Sequence, residues 1–190
     1  VIGSKEYPNA LVLEMGADKP GDIEYFLNIV RPDVGVLTAV GATHLVNFKT
    51  VTLVLKEKQK LVLGIQRNGT AIINGDDELI TTIKPKISTN LIEYGFASGT
   101  LRIVESRVAY STIPPFWPEG MRFKIEWKGS LVPMEIPGVL GKSIVRSVTA
   151  AVGVGLALGM NLVEIGHALE HFLAPTGRMK ILEGIKGTCL

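Results

Sequence analysis

Between Ala10 and Asn74 the chain alternates short apolar runs with longer amphipathic stretches, and this alternation constrains the fold more than any other feature. Ala10–Glu14 is an apolar run ending in a carboxylate, the signature of a buried parallel strand. In Gly21–Val30, residues Ile23, Phe26, Leu27 and Val30 recur at helical spacing until Arg31-Pro-Asp33 breaks the pattern. Val34–Val40 is a second buried run, Val51–Ile65 a long helix, and Gly69–Asn74 a third strand. Strand–helix succession of this kind implies an α/β fold with a mainly parallel sheet flanked by helices.

The pattern then changes. Leu91–Phe96, Leu101–Tyr110, Met121–Trp127 and Leu131–Ile136 are short runs with alternating faces, and the alternation is strict in Met121–Trp127. They predict a small antiparallel sub-sheet over about residues 91–136, with one face wet. Ser111–Gly120, which holds three prolines, reads as a loop. Two helices near Ser143–Leu158 and Leu162–Phe172 close the domain.

Composition narrows the function classes. The 190 residues are 46% hydrophobic, enough for one sizeable core. A net charge of +2 gives no basic stripe for nucleic acid. The longest apolar stretch, Ala150–Met160, is too short for a membrane span. The single cysteine, Cys189, suits a reducing compartment, and no signal peptide opens the chain, so a cytoplasmic location is expected. Val1 in place of Met, and a strand-like run ending at Leu190, read as a fragment of a longer protein.

Several residues carry candidate chemistry. Glu14 ends a strand where open α/β sheets bind ligands; it either holds a hard cation such as Mg²⁺ or is satisfied by loop amides. His44 follows the next strand at the same edge, as metal ligand, base or solvated side chain. On a helical wheel at about 100° per residue, Val51, Val54, Leu55, Leu61, Val62 and Ile65 cluster around Lys58, with Lys56 and Lys60 opposite. A lysine central to an apolar stripe either has a partner or a changed charge state, or snorkels to the edge. Gly138-Val-Leu-Gly-Lys-Ser143 imitates the end of a phosphate-binding loop. Ile136 stands where that loop needs its first glycine and Pro137 lacks an amide hydrogen, so it reads as a turn into a helix with Ser143 near the N-cap. Arg178, in Pro175-Thr-Gly-Arg-Met179, is a phosphate clamp or a surface residue. Asn74-Gly-Asp-Asp77 reads as a turn capping a helix, and His167 with His171 as an exposed helix face.

The order of Leu13-Glu-Met-Gly-Ala-Asp-Lys-Pro-Gly-Asp-Ile23, Arg31–Thr38, Thr43-His-Leu45, Glu57-Lys58 with Leu61, Asn74–Asp77, Ala150-Ala151 and Pro175–Met179 resembles the central, ATP-binding domain of the Mur ligase family over almost the whole of residues 1–190. The resemblance implies an ATP-dependent ligase of peptidoglycan precursor synthesis. It phosphorylates the carboxylate of a UDP-linked muramoyl peptide to an acyl phosphate, which the amine of a dipeptide such as D-alanyl-D-alanine then attacks. It implies ATP and Mg²⁺ as cofactors, Glu14 on the Mg²⁺ of the ATP phosphates, and His44 on a second Mg²⁺. Lys58 would be a carbamylated lysine holding that second ion, and Arg178 would touch ATP phosphate. Another Mur or folylpolyglutamate-type ligase, or a non-catalytic nucleotide-binding paralogue, are the alternatives.

The family's Gly-Lys-Thr phosphate loop and C-terminal domain have no counterpart in these residues, so this segment alone is expected to be inactive. Ser143 and Ile144 stand where the family usually has His-Asn or His-Gln, and Ser147 where some members place an asparagine near adenine. Lys49 takes a usual glycine position.

Overall fold

A computed structural model describes residues 8–114, 116–173, 177, 179–182, 184 and 188. In chain order the elements are α1 (Asp22–Ile29), β1 (Val34–Leu37), α2 (Leu45–Phe48), α3 (Val51–Leu63), β2 (Thr70–Asn74), α4 (Glu78–Thr81), β3 (Asn90–Gly95), β4 (Leu101–Tyr110), β5 (Pro118–Trp127), β6 (Ser130–Pro137), α5 (Lys142–Ala157) and α6 (Leu162–Glu170). The strands form one six-stranded sheet in sequential order. β1, β2, β3 and the start of β4 run parallel, and β4, β5 and β6 pair antiparallel.

Burial explains this arrangement. β2 is apolar at its centre and buried on both faces: Ile72 joins one core cluster, Ala71 and Ile73 the other. The first cluster lies under α5 and α6, where Val145, Val148 and Val152 meet Ile92 and Tyr94. The second lies under α1, α3 and α4, around Ile23, Val54, Val62 and Ile80. Each fully buried Ile or Val contributes about 1.5–3 kcal/mol. On the antiparallel side only one face is covered: Met121, Phe123 and Ile125 are buried, while Arg122, Lys124, Glu105 and Glu135 form cross-strand ion pairs in solvent.

Helix ends follow local chemistry. The Thr50 hydroxyl accepts the Leu53 N–H at the start of α3. Asn161 and Glu164 form a reciprocal capping box on α6. α5 starts from the Gly141 turn (φ 107°) without a side-chain cap, which puts Ser143 two residues past the N-cap, in the first turn as the sequence suggests.

Two strand expectations are corrected. Residues 10–14 are not a strand: Leu11, Val12 and Leu13 are 60%, 89% and 51% exposed. An apolar run becomes a strand only beside an edge that supplies backbone partners, and among the described residues β1 pairs with β2 alone. Residues 91–96, which the change of pattern assigns to the antiparallel set, belong mostly to β3, parallel to β2. The pattern change starts one strand later, at β4. β3 and β4 overlap only at Tyr94–Leu101 and Gly95–Arg102 and run parallel there, so residues 96–100 form a tight loop that returns the chain to the same level with its direction unchanged. Gly99 (φ 119°) permits this, because a Cβ there would lie 2.4 Å from the Glu93 carbonyl oxygen.

Candidate functional site at the carboxyl edge of the parallel strands

The loops after β1, β2 and β3 meet at one edge of the sheet, where open α/β folds bind ligands. The Asn74–Asp77 turn ties them together. The Asn74 amide donates to the Thr38 carbonyl at 2.9 Å, and the Asp77 carboxylate accepts the Val40 N–H at 3.1 Å while capping α4 through Leu79 and Ile80. Asp76 accepts the Phe96 and Ala97 N–H groups at 2.8 and 2.9 Å and lies 3.5 Å from the Arg146 Nε. The turn is therefore more than a helix cap. Tyr94 sits beneath it: burial pushes its hydroxyl up to about 12, with Arg146 pulling down and Asp76 and Asp77 pushing up.

His44 stands on the loop after β1 in a left-handed conformation (φ 55°) and opens α2. Its Nδ1 lies 3.2 Å from Asp18 Oδ1, and the Asn47 amide donates to the Asp18 carbonyl at 2.9 Å. Asp22 fixes the same loop by accepting the Asp18 and Lys19 N–H groups, each at 2.9 Å. The segment that carries Glu14 is thus fastened to the His44 loop four residues downstream of Glu14. Glu14 itself is exposed, while Met15 packs on the second core cluster and Ala17 is buried. Asp18 was not singled out in the sequence, since an acidic residue in a Lys-Pro-Gly loop carries no signal until its histidine partner is placed.

α3 buries Val54, Leu55 and Val62 against the sheet. Lys58, central to the apolar stripe on the wheel, is half-buried and makes no hydrogen bond or ion pair with any described residue. Lys56 is exposed. Lys60, expected on the open face, is instead held between Glu57 at 3.0 Å and Glu24 at 3.2 Å. The fully buried charge of this helix is Glu57, 3% exposed, whose carboxylate accepts the Ile23 N–H at 2.9 Å. Burial pushes Glu57 up, but the Gly21 N–H, the Lys60 ammonium and the Ile23 N–H outweigh it, so the carboxyl titrates below its ordinary value. The wheel misses Glu57 because its partner is the first turn of another helix.

Ser147 lies exposed on α5. Arg178 falls outside the described residues. His167 is an exposed helix residue 3.7 Å from Glu170. Among the described residues no three His, Cys, Asp or Glu side chains gather into a metal cage, and no helix is long and apolar enough to cross a membrane. Mg²⁺ does not need a protein cage: it keeps waters and bridges phosphates through one or two carboxylates. An exposed Glu14 carboxylate and a histidine braced by Asp18 through one ring nitrogen fit that demand.

Comparison with known proteins agrees with this fold. The family model described as the Mur ligase middle domain matches residues 4–155. UDP-N-acetylmuramoyl-tripeptide--D-alanyl-D-alanine ligase of Buchnera aphidicola subsp. Baizongia pistaciae is 27% identical over 171 residues, 90% of this chain and 36% of that protein. The protein of the same name from Escherichia coli K12 is 24% identical over 182 residues, 92% of this chain and 37% of that one. A crystal structure of MurF from Acinetobacter baumannii superposes with a TM-score of 0.78 at 25% identity, covering 90% of this chain and 36% of that chain. MurF from Thermotoga maritima in complex with ADP gives 0.78 at 23% identity, covering 92% and 38%. The chain spans about a third of the length of these curated relatives.

Proposed function

Since this chain belongs to the Mur ligase middle-domain family, we propose that it is the ATP-handling part of a ligase that joins a dipeptide amine to a UDP-linked muramoyl peptide in peptidoglycan precursor synthesis. The dipeptide is of the D-alanyl-D-alanine kind, the substrate carried in the names of the relatives. The observation that carries the reading is the Asp18–His44 contact, which fastens the Glu14 loop to the His44 loop at the carboxyl edge of the sheet.

Such a reaction transfers the terminal phosphoryl group of ATP to a carboxylate, and the amine displaces phosphate from the acyl phosphate. The protein's task is to align the partners and neutralise developing charge. Mg²⁺, when bound, supplies the Lewis acid that spreads the charge of the phosphate oxygens. In this chain the Glu14 carboxylate would hold one ion. His44 would hold a second through Nε2 while Asp18 orients its ring through Nδ1. The Lys58 amine would add CO₂ and lose a proton, becoming an anionic carbamate, an oxygen ligand of the kind Mg²⁺ prefers. Arg178 and Ser147 are proposed contacts to ATP phosphate and to the region of the base. The same reading places the ligase in the cytoplasm, where UDP-linked precursors are made.

The test uses the full-length protein that contains this segment. Phosphate release is measured with ATP, Mg²⁺ and a UDP-muramoyl tripeptide, with and without D-alanyl-D-alanine. Release that depends on all four supports the reading. No dependence on any dipeptide or amino-acid acceptor, with the protein folded, leaves a nucleotide-binding paralogue instead.

A further inference from the structure

The wet face of the antiparallel strands carries a row of charges set by strand register. Arg107 on β4 stands directly opposite Arg122 on β5, and Arg122 directly opposite Glu135 on β6. A β-bulge between Ile103 and Glu105 creates this row. Ile103 pairs with the buried Ile125, and without the extra residue Glu105 and Arg107 would follow Ile103 onto the covered face. The bulge turns them outward instead, to face Lys124 and Arg122. Bulges that re-aim side chains in this way are concentrated beside binding and active sites.

Like charges placed directly opposite are destabilising, and the neighbouring carboxylates do not cancel both arginines. Arg122 is matched by Glu135 at 2.6 Å. Glu105 is taken by Lys124 at 2.6 Å and lies 3.8 Å from Arg107. Arg107 is therefore the unspent cation of the row. The unspent anion is Glu170 of α6, whose ion-pair contact among the described residues is with His167 alone, at 3.7 Å. Arg107, Arg122, Glu135 and Glu170 line one cavity of about 290 Å³, together with Met134 and Gly166. That volume is at the lower end for sites that hold small molecules.

We propose that this cavity binds a short peptide with free termini, of dipeptide size, its carboxylate on Arg107 beside Arg122 and its ammonium on Glu170 beside Glu135. Strands lie about 4.8 Å apart, so the backbones of Arg107 and Glu135 are separated by roughly 10 Å. Two residues of extended peptide span about 7 Å, and the side chains close the remainder. A planar guanidinium receives a carboxylate through two parallel N–H donors. The site reads the termini and not the side chains, so it does not select stereochemistry. It lies on the antiparallel strands, apart from the loops after β1, β2 and β3, and it does not rest on the ligase reading.

Glycylglycine is the probe, titrated calorimetrically into the full-length protein. N-acetylglycylglycine lacks the ammonium, and glycylglycine amide lacks the carboxylate. Thermal unfolding checks the Arg107→Gln and Glu170→Gln variants. The expected result is that glycylglycine binds the parent, and that each blocked analogue and each folded variant weakens binding by about tenfold. Arg107→Lys, which keeps the charge and loses the fork, recovers part of the loss. Turnover with ATP, a UDP-muramoyl tripeptide and D-alanyl-D-alanine stays at the parental rate in both glutamine variants. No binding of glycylglycine by the parent, or folded Arg107→Gln and Glu170→Gln proteins that bind it like the parent, overturns the site. Binding by the parent without any turnover removes the ligase reading and leaves the cavity site standing.

Discussion

The Glu57 carboxylate accepts the Ile23 N–H at 2.9 Å, and this bond joins the helix that carries Lys58 to the loop and helix that follow Glu14. It crosses between α3 and the first turn of α1 and is buried, with Lys60 closing the pair from the solvent side. A hydrogen bond to a buried charge contributes about 1.5–3 kcal/mol. Glu57→Ala should therefore lower stability by about that amount at pH 7, read as the urea midpoint. The folded carboxyl titrates below its ordinary 4.5, so the contribution is whole above that pH and fades as pH falls through the folded value. The parent and Glu57→Ala curves should converge in acid. A gap that stays constant down to pH 3 would mean the carboxylate charge is not what stabilises the contact.

Lys49 adopts φ 66° and ψ −38°, a backbone conformation that side chains with a Cβ rarely take. It ends α2, the short turn between His44 and α3. Lys49→Gly should stabilise the protein by about 1 kcal/mol, because the relieved strain exceeds the added freedom of the unfolded chain. Thermal unfolding of the two proteins decides it; a lower midpoint for Lys49→Gly contradicts the strain.

Asp18 is proposed to orient His44 and not to touch substrate. Removing such a supporting partner usually costs about 10–100-fold in metal affinity. Asp18→Asn in the full-length ligase should raise the Mg²⁺ concentration for half-maximal rate by that factor and leave the rate at saturating Mg²⁺ within a few-fold of the parent. A purely structural role for Asp18 predicts a loss of stability with an unchanged Mg²⁺ dependence.

What the sequence reveals here follows the range of the forces involved. Apolar periodicity is local, and it locates α3, α5 and β2 to within a few residues. The Glu14 and His44 segments meet through Asp18 and not through neighbouring strand ends, since residues 10–14 pair with no strand among the described residues. Partners are not local. Residues 10–14 have every property of a buried strand except a neighbour. Glu57 sits off the apolar stripe and is buried by an N–H of another helix, and Lys60 is drawn off the open face by the same carboxylate. β3 is parallel because β2 lies beside it, and nothing within residues 90–95 states that. The Asn74–Asp77 turn announces a cap, yet its contacts to Thr38, Val40 and Phe96 arise only once three loops share an edge.

Lys58 gives the sharpest test of the proposed chemistry, because α3 supplies its own controls. Lys58 is half-buried with no ion-pair partner among the described residues, Lys56 is exposed, and Lys60 is committed to Glu57 and Glu24. If Lys58 works as a carbamate, Lys58→Ala removes an anionic ligand and should lower the amide-forming rate of the full-length enzyme by roughly a hundredfold or more, since even supporting residues of metal sites cost 10–100-fold. Added short-chain carboxylate should restore part of that loss by supplying the missing anion. Lys56→Ala should leave both rate and stability close to the parent, as exposed substitutions usually stay within about 0.5 kcal/mol. Lys60→Ala should differ from both: it leaves Glu57 buried with one partner fewer, so stability falls while the rate of the folded protein holds. Rates and urea midpoints for the three variants, measured side by side, separate a chemical role from a structural one. A Lys58→Ala enzyme with near-parental turnover, or a Lys56→Ala enzyme damaged as badly, removes the carbamate from the mechanism.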